Sequence, residues 1–248
     1  MNIMQSGMIQ EPVVKGNLYL VPSLLAESLP GASFPPYNLE VIKKLKIYFV
    51  ENIRSARRFI SSLKMEISIE ELTFHTLDKE TDQQQLDFMV RVLLEGNDAG
   101  IMAEAGCPGI ADPGSRLVTL AHRHQIKVIP LVGPSSILLA LIASGFNGQN
   151  FAFTGYLPIR EHERERKIIE LEARMIRDNQ TQIFMETPFR NDSLIKSLLK
   201  TLKPETLLSI SADLTGPGEQ IHTYPVKSWK NRKISLNRVP AIFLIYHT

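Results

Sequence analysis

The sequence predicts an α/β protein of two domains, with a mainly parallel sheet in the N-terminal domain and a mixed sheet in the C-terminal domain. Short apolar runs alternate with amphipathic segments through the first half of the chain, which is typical of a parallel sheet with helices on its faces. The dipeptide Gly133-Pro134 ends this alternation, and 248 residues suit two domains of middling size. We therefore predict domains over residues 1–133 and 134–248.

The elements of the first domain follow from hydrophobic periodicity. Short apolar runs predict strands at residues 18–21, 47–50, 100–103 and 127–132. Apolar positions at helical spacing predict helices over 53–63, 81–95 and 116–124. Asp112 and Pro113 are residue types favoured at a helix start, so we expect Asp112 to cap the third helix. The first fifteen or so residues are expected to fray, and the proline-rich segment up to Pro36 is expected to be loop.

In the second half, one helix precedes a series of strands. Residues 137–143 form an apolar helical segment, with Ser135 as its expected N-cap and Gly145 as its end. Strands are predicted at 151–153, 182–185, 207–211, 220–224 and 241–246. The first of these strands are separated by helix-length segments and the later ones are closely spaced. This order predicts a mixed sheet with antiparallel pairs.

Composition narrows the functional class only slightly. The formal net charge is +2, from 28 basic and 26 acidic side chains, so bulk charge neither demands nor excludes a nucleic-acid partner. Cys107 is the single cysteine, which excludes an internal disulfide and fits a reducing compartment. The sequence shows no secretory signal and no apolar run of membrane-spanning length. We expect a cytoplasmic protein without a membrane segment or a metal site.

The segment from Ala103 to Gly114 is the strongest candidate for a ligand-binding loop. It leaves the carboxyl end of a predicted strand, where open α/β sheets bind their ligands. Gly106 and Gly109 allow the backbone to approach a ligand closely, and Pro108 stiffens the loop between them. A tight strand-to-helix turn would use the same residues, so the loop alone leaves both interpretations open. Neither a dinucleotide fingerprint nor a phosphate-binding loop is present in the sequence.

Five short motifs in order resemble the tetrapyrrole methylase superfamily. They are Ala103–Gly114, Pro130–Ser136, Phe153–Pro158, Glu186–Arg190 and Asp213–Thr215. Within that superfamily the chain is similar to the ribosomal small-subunit methyltransferase I branch, which methylates a cytidine ribose 2′-hydroxyl. The resemblance implies two α/β domains with S-adenosylmethionine in the cleft between them, and a homodimer. It also implies ribosomal RNA as the substrate.

The resemblance assigns cofactor-binding roles residue by residue. It implies that Pro22 contacts the cofactor from the loop after the first strand. The other cofactor-binding residues that it implies are Gly106, Cys107, Ile110, Pro134, Ser135, Ser136, Met185 and Ala241.

The chain departs from the branch mainly on the polar, substrate-facing side. The loop Val21–Ala26 lacks the glycine of the branch, Glu104 stands for an aspartate, and Phe189 stands for a histidine. Glu104 is the best candidate for a substrate-facing catalytic carboxylate, because it ends a strand beside the cofactor loop.

Other polar residues have structural interpretations that weigh against catalysis. We expect ion pairs of Glu51 with Arg54 and of Glu186 with Arg190, and we expect His75 to be a partly buried structural histidine. A basic cluster around Trp229 is a candidate RNA contact, although a lysine-rich hairpin turn is the default interpretation; its members are Lys227, Lys230, Arg232, Lys233 and Arg238. Two alternatives to an RNA methyltransferase stay open: a methyltransferase for a tetrapyrrole or other small molecule, and a cofactor-binding protein without catalysis.

Overall fold

The structure, a computed structural model, describes residues 14–26 and 34–247. These residues group into two compact units. Of the described residues, unit 1 contains 14–23 and Phe34–Gly133, and unit 2 contains 24–26 and 134–247. The expected fraying of the first residues lies almost entirely outside the described residues, as does most of the expected loop before Pro36.

Unit 1 alternates strands and helices. Its strands are β1 (Leu18–Val21), β2 (Ile47–Val50), β3 (Thr73–Thr76), β4 (Ala99–Met102) and β5 (Val128–Pro130). Its helices are α1 (Pro36–Lys44), α2 (Ile53–Ser62), α3 (Gln83–Leu94) and α4 (Ser115–Arg123), and a 3₁₀ turn spans Ile69–Glu71. The strands form one sheet in the order β3-β2-β4-β1-β5, and every neighbouring pair is parallel.

Helices cover both faces of this sheet. Side chains of α3 and α4, such as Leu86 and Leu117, pack against Phe49 and Ile101 on one face. Side chains of α1 and α2 form the second core cluster, on the other face. The chain therefore leaves β1 and β2 toward one face and β4, which lies between them, toward the opposite face. Such a reversal opens a crevice at the carboxyl ends of the strands, where doubly wound sheets bind ligands.

Unit 2 is built on a mixed sheet. Its strands are β6 (Phe151–Tyr156), β7 (Thr181–Met185), β8 (Leu207–Ala212), β9 (Gln220–Pro225) and β10 (Ala241–Tyr246). Its helices are α5 (Ser136–Ser144), α6 (Glu161–Asp178), α7 (Asn191–Thr201) and α8 (Val226–Trp229), with a 3₁₀ turn at Pro188–Arg190. The order is β6-β7-β10-β8-β9, with β6 and β7 parallel and the remaining neighbours antiparallel.

The predicted fold class is confirmed, with a parallel first sheet and a mixed second sheet. The predicted capping of α5 is also confirmed, because Ser135 Oγ accepts a hydrogen bond from Leu138 N and Gly145 ends the helix at φ +77°. The core of unit 2 lies on both faces of its sheet. Trp229 is fully buried in one cluster and donates its indole N–H to Leu208 O at 2.8 Å.

Three local predictions are wrong. Helix α4 begins at Ser115 and not at Pro113, because Gly114 at its N-cap has φ +127°, which interrupts the helical backbone; Asp112 is therefore not the cap. Helix α1 begins at Pro36, a residue that we expected in a loop. The basic cluster is not a hairpin turn, because β9 pairs with β8 and β10 does not lie beside it.

Candidate functional site

In unit 1, backbone hydrogen bonds join the loops that follow β1 and β4. Ser23 N donates to Gly106 O at 2.9 Å, and Gly106 N donates to Ser23 O at 3.2 Å. The buried Ser23 hydroxyl also donates to Ala103 O at 2.6 Å. Gly106 has φ +73°, a left-handed conformation that disfavours other residues. The start of the candidate cofactor loop is therefore held against the end of β1.

The loop after β5 reaches the same place. A Cβ atom on Gly133 would lie 2.2 Å from the Cβ of Pro22, so only glycine fits against this proline. Cys107 Sγ lies 3.7 Å from Gly133 O in a hydrogen bond that its thiol donates, and burial raises the pKa of the thiol. Three of the loops thus converge, and they bring Pro22, Gly106 and Cys107 together.

A buried asparagine supports the loop after β5. Asn38, in α1, is only 1% exposed, and its Nδ2 donates to Val132 O at 2.6 Å. The roles of Asn38 and Ser23 were not predictable from the sequence, because each acts through a partner that is distant in the chain.

Beyond Cys107 the candidate loop faces outward. Gly109 has φ +81° and nothing within 4 Å of the position of an added Cβ. Ile110 is 47% exposed, and Val132 in the neighbouring loop is 72% exposed. Exposed apolar side chains beside an open glycine provide a surface on which a flat or apolar group of a ligand can lie.

Carboxylates surround a small crevice at the carboxyl ends of β1, β2 and β4. Glu104 and Glu51 line it together with Ser23, Asn52 and Ser55. Both glutamates are exposed to solvent. Desolvation is the main cause that raises the pKa of Glu51, and the charges of Glu104 and Asp78 raise it further. The crevice therefore concentrates negative charge.

Asp112 belongs electrostatically to the same group of carboxylates. Desolvation raises the pKa of Asp112 to about 6, and the charges of Glu51 and Glu104 add to this effect. The expected ion pair of Glu51 with Arg54 is absent among the described residues, so that prediction is wrong. Asn52 instead caps α2, where its Oδ1 accepts a hydrogen bond from Ser55 N at 3.1 Å.

His75 lies on the edge strand β3, outside the crevice. Its ring is 5.0 Å from that of Phe88 and 6.0 Å from that of Phe49, measured between centroids. Burial lowers the pKa of the imidazole, which favours the neutral form. These contacts agree with the expected partly buried structural histidine.

In unit 2 the remaining candidate cofactor residues lie at two places. Pro134 and Ser135 lead into α5, whose first residue is Ser136. Met185 ends β7 and is paired with Ile242, the second residue of β10, so Met185 and Ala241 lie at the same end of neighbouring strands. Met185 packs against the cluster that contains Ile137 of α5. This hydrophobic cluster therefore connects the start of α5 with the end of β7.

Glu186, which follows Met185, is almost completely buried. Its Oε1 accepts hydrogen bonds from Thr187 N at 2.6 Å and from Arg190 Nε at 3.0 Å, and it lies 2.5 Å from Arg190 Nη2. The predicted ion pair of Glu186 with Arg190 is therefore confirmed. Glu186 Oε2 is buried and has no hydrogen-bond partner in the described structure.

The described residues contain neither a candidate membrane span nor a candidate metal site. No helix in residues 14–26 and 34–247 is both long and apolar enough to cross a membrane. Across the same ranges, no three His, Cys, Asp or Glu side chains are grouped so that they could hold a metal ion.

Comparison with known proteins identifies related sequences. The family described as Tetrapyrrole (Corrin/Porphyrin) Methylases matches residues 39–229. A protein of Vibrio cholerae named ribosomal RNA small subunit methyltransferase I is 31% identical over 84% of this chain and 68% of its own length. Proteins of the same name from Micromonospora olivasterospora and Escherichia coli O157:H7 are 32% and 27% identical, over 75% and 86% of this chain. The matches span 56% and 70% of those two proteins.

Solved structures share the fold at lower identity. The uroporphyrin-III-C-methyltransferase of Thermus thermophilus aligns over 93% of this chain and 92% of its own, with a TM-score of 0.52 and 18% identity. The methyltransferase CobJ aligns over 94% of this chain and 95% of its own, with a TM-score of 0.61 and 14% identity. At these identities the likeness shows the fold alone.

Proposed function

This chain belongs to the tetrapyrrole methylase family of methyltransferases, and from that premise we propose that it transfers a methyl group from S-adenosylmethionine to a ribose 2′-hydroxyl of small-subunit ribosomal RNA. The proposed acceptor is supported by relatives named ribosomal RNA small subunit methyltransferase I, which are 27–32% identical over three quarters or more of the chain. We propose further that the protein acts in the cytoplasm as a homodimer, as the resemblance implies.

The residues of unit 1 fit S-adenosylmethionine. Glu51, Glu104 and Asp112 repel one another in the folded protein, as their effects on the pKa values of Glu51 and Asp112 indicate. A ligand with a sulfonium and an ammonium group would relieve that repulsion. The exposed Ile110 and the open Gly109 provide an apolar surface for the adenine ring. We propose that Pro22, Gly106, Cys107 and Ile110 hold the cofactor there.

In unit 2 the proposed cofactor residues are Pro134, Ser135, Ser136, Met185 and Ala241. Their assignment is supported by the motifs that carry the family resemblance. Single substitutions at Met185 and Ser136, followed by calorimetric titration with S-adenosylhomocysteine, test it.

Methyl transfer requires the protein mainly to position the methyl donor and the acceptor hydroxyl. S-adenosylmethionine, when bound, supplies an activated methyl group, so no covalent enzyme nucleophile is needed. The Ser23–Gly106 hydrogen bonds fix the loop that carries Glu104 next to the crevice. The Glu104 carboxylate accepts the proton of the acceptor hydroxyl as the methyl group is transferred. Ser55 and Asn52, which line the same crevice, can hydrogen-bond the ribose.

Mass spectrometry of ribosomal RNA tests the proposal in the cell. Small-subunit RNA from a strain that lacks this gene should be missing one ribose methylation. A plasmid with the parent gene should restore it, and a plasmid with Glu104→Gln should not. An unchanged modification pattern would leave a small-molecule methyltransferase or a cofactor-binding protein without catalysis as the better account.

A further inference from the structure

We propose that unit 2 carries a binding surface for single-stranded RNA, centred on the ring of Phe189 and the guanidinium of Arg238. This inference rests on the proposed function, because it names a part of the protein that binds the RNA substrate. The two side chains are called the Phe189–Arg238 platform below.

Phe189 is an exposed aromatic residue at a defined place in the fold. It is 72% exposed and occupies the 3₁₀ turn Pro188–Arg190 that follows β7. The guanidinium carbon of Arg238 lies 5.7 Å from the centre of its ring. A ring that is 72% exposed buries little apolar surface, and an exposed ring beside a guanidinium plane is an arrangement on which unpaired bases stack.

The platform is held in place by hydrogen bonds on both sides. Arg238 N donates to Pro188 O at 3.1 Å, which ties the two segments together directly. The buried Asn191 donates from Nδ2 to Val239 O at 2.6 Å. Asp192 Oδ1 accepts from Leu236 N at 2.7 Å. A stacking surface that is already ordered loses little entropy when a base binds.

The chain segment that ends in Arg238 is strongly basic, which suits a polyanion. Residues 227–238 contain five basic side chains and no acidic one. Lys227 pairs with Glu205 and Arg232 stacks on Tyr224, but Lys230 and Lys233 are exposed and form no ion pair within the described residues. The two carboxylates close to Phe189 in the chain already have partners. Glu186 pairs with Arg190, and Asp192 accepts hydrogen bonds from the Ser235 hydroxyl and from Leu236 N.

The platform lies close in the chain to a proposed cofactor residue. Phe189 follows Met185, a proposed cofactor residue, in the turn directly after β7. An open cavity beside the platform is lined by Arg238 and by the polar side chains of Asp213, Gln220 and Ser235. These groups can hydrogen-bond base edges. A base of the bound RNA can therefore stack on Phe189 while basic side chains hold the phosphates.

The test measures RNA binding in the absence of cofactor. A fluorescein-labelled single-stranded RNA of twelve mixed-sequence nucleotides is titrated with the full chain, and the dissociation constant is obtained from anisotropy. Phe189→Leu, which keeps apolar bulk but removes the ring, should weaken binding by roughly 5- to 100-fold. Phe189→Trp should keep parent affinity. The matched control is Phe151→Leu, which changes an exposed ring at the start of β6 in the same unit and should leave binding unaffected.

A probe without bases separates stacking from charge. With an abasic RNA of the same length, Phe189→Leu and the parent should bind equally, because only phosphates remain to be contacted. Lys233→Gln should reduce the salt dependence of binding, whereas Lys227→Gln, whose ammonium already pairs with Glu205, should change it less. Equal affinity of Phe189→Leu and parent for the base-containing probe, or no binding of that probe to the parent, would overturn the inference.

Failure of the inference can be told from failure of the proposed function. If small subunits are methylated equally well by the parent and by Phe189→Leu, the methyltransferase stands and the platform does not. If the parent binds RNA through Phe189 but transfers no methyl group to small subunits, the platform stands and the proposed reaction does not.

Discussion

Ser23 and Gly106 exchange two backbone hydrogen bonds, with N···O distances of 2.9 and 3.2 Å, across the loops that follow two neighbouring parallel strands. This pair closes the carboxyl edge of the first sheet at the point where the chain leaves β1 and β4 toward opposite faces. It fixes the residues on either side, Pro22 in one loop and Glu104 in the other. The proposed cofactor and acceptor sites of unit 1 both depend on it.

Gly106→Ala should weaken binding of S-adenosylhomocysteine by about tenfold or more, because a side chain at φ +73° displaces the loop that holds the cofactor. Isothermal titration calorimetry measures this change. Gly145→Ala is the matched control, since Gly145 has a similar φ of +77° and ends α5 with open space around it. Both variants should lose about 1 kcal/mol of stability to backbone strain, so equal ligand affinity in the two would mean that Gly106 is only a turn residue.

Asp112→Asn should stabilise the protein at pH 7. The pKa of Asp112 is raised to about 6 in the folded state, from an ordinary value of 3.8. The folded protein therefore binds more protons between about pH 4 and pH 6, and the free energy of unfolding falls as the pH rises through that window. Removing the charge should raise stability at pH 7 by about 1–2 kcal/mol, a figure reduced for solvent screening.

Urea denaturation at pH 4.5 and pH 7 checks the sign for Asp112. The advantage of the asparagine variant should be small at the lower pH and larger at the higher one. The reverse order would show that the Asp112 carboxylate is stabilised in its charged form, and the crevice would then not be a place of mutual repulsion.

Arg190→Ala should destabilise the protein by about 3 kcal/mol, because it leaves the Glu186 carboxylate charged, buried and without its cation. Adding Glu186→Gln to the same chain should recover much of the loss. A double-mutant cycle by chemical denaturation gives the interaction free energy. Additive effects of the two substitutions would mean that the two side chains have no interaction free energy, which would contradict the prediction.

Glu104→Gln should slow methyl transfer by a factor on the order of 10² to 10⁴, because an amide cannot accept the proton of the acceptor hydroxyl. The dissociation constant of S-adenosylmethionine should rise by no more than a few-fold, since Glu104 is one of three carboxylates that attract the cationic cofactor, whereas it alone accepts the proton of the acceptor. Glu51→Gln is the matched control, a second exposed carboxylate of the same crevice, and should keep the rate within a few-fold. If Glu104→Gln transfers methyl groups at nearly the parent rate, Glu104 is not the proton acceptor, and the protein catalyses the reaction by positioning alone.

The fold class followed from the sequence because apolar periodicity reports local structure directly. The failures occurred where one residue type serves two purposes. Pro36 was read as loop, yet proline is also well suited to the first turn of a helix, which is where it lies in α1. Asp112 resembled an N-cap, but the positive φ of Gly114 delays the helix start.

The candidate site was predictable only in part, because several of its contacts join residues that are far apart in the sequence. The glycines and the proline after a strand predict a ligand-binding loop around Gly106, and the family resemblance assigns Cys107 to the cofactor; both roles stay predictions. The role of Ser23 was not predictable, because it depends on Ala103 and Gly106, and its hydroxyl partner is 80 residues away. Phe189 and Arg238 similarly approach each other only through the turn after β7 and the segment before β10.

Transfer of a labelled methyl group to small ribosomal subunits is the direct test of the proposed 2′-O-methylation. The purified protein is incubated with methyl-labelled S-adenosylmethionine and small ribosomal subunits from the deletion strain, and the RNA is digested to nucleosides and separated. We expect label in a single 2′-O-methylated nucleoside, with none when subunits from the parent strain are used. Label on a base, label only in a small-molecule acceptor, or no incorporation by a protein that binds S-adenosylhomocysteine would contradict it.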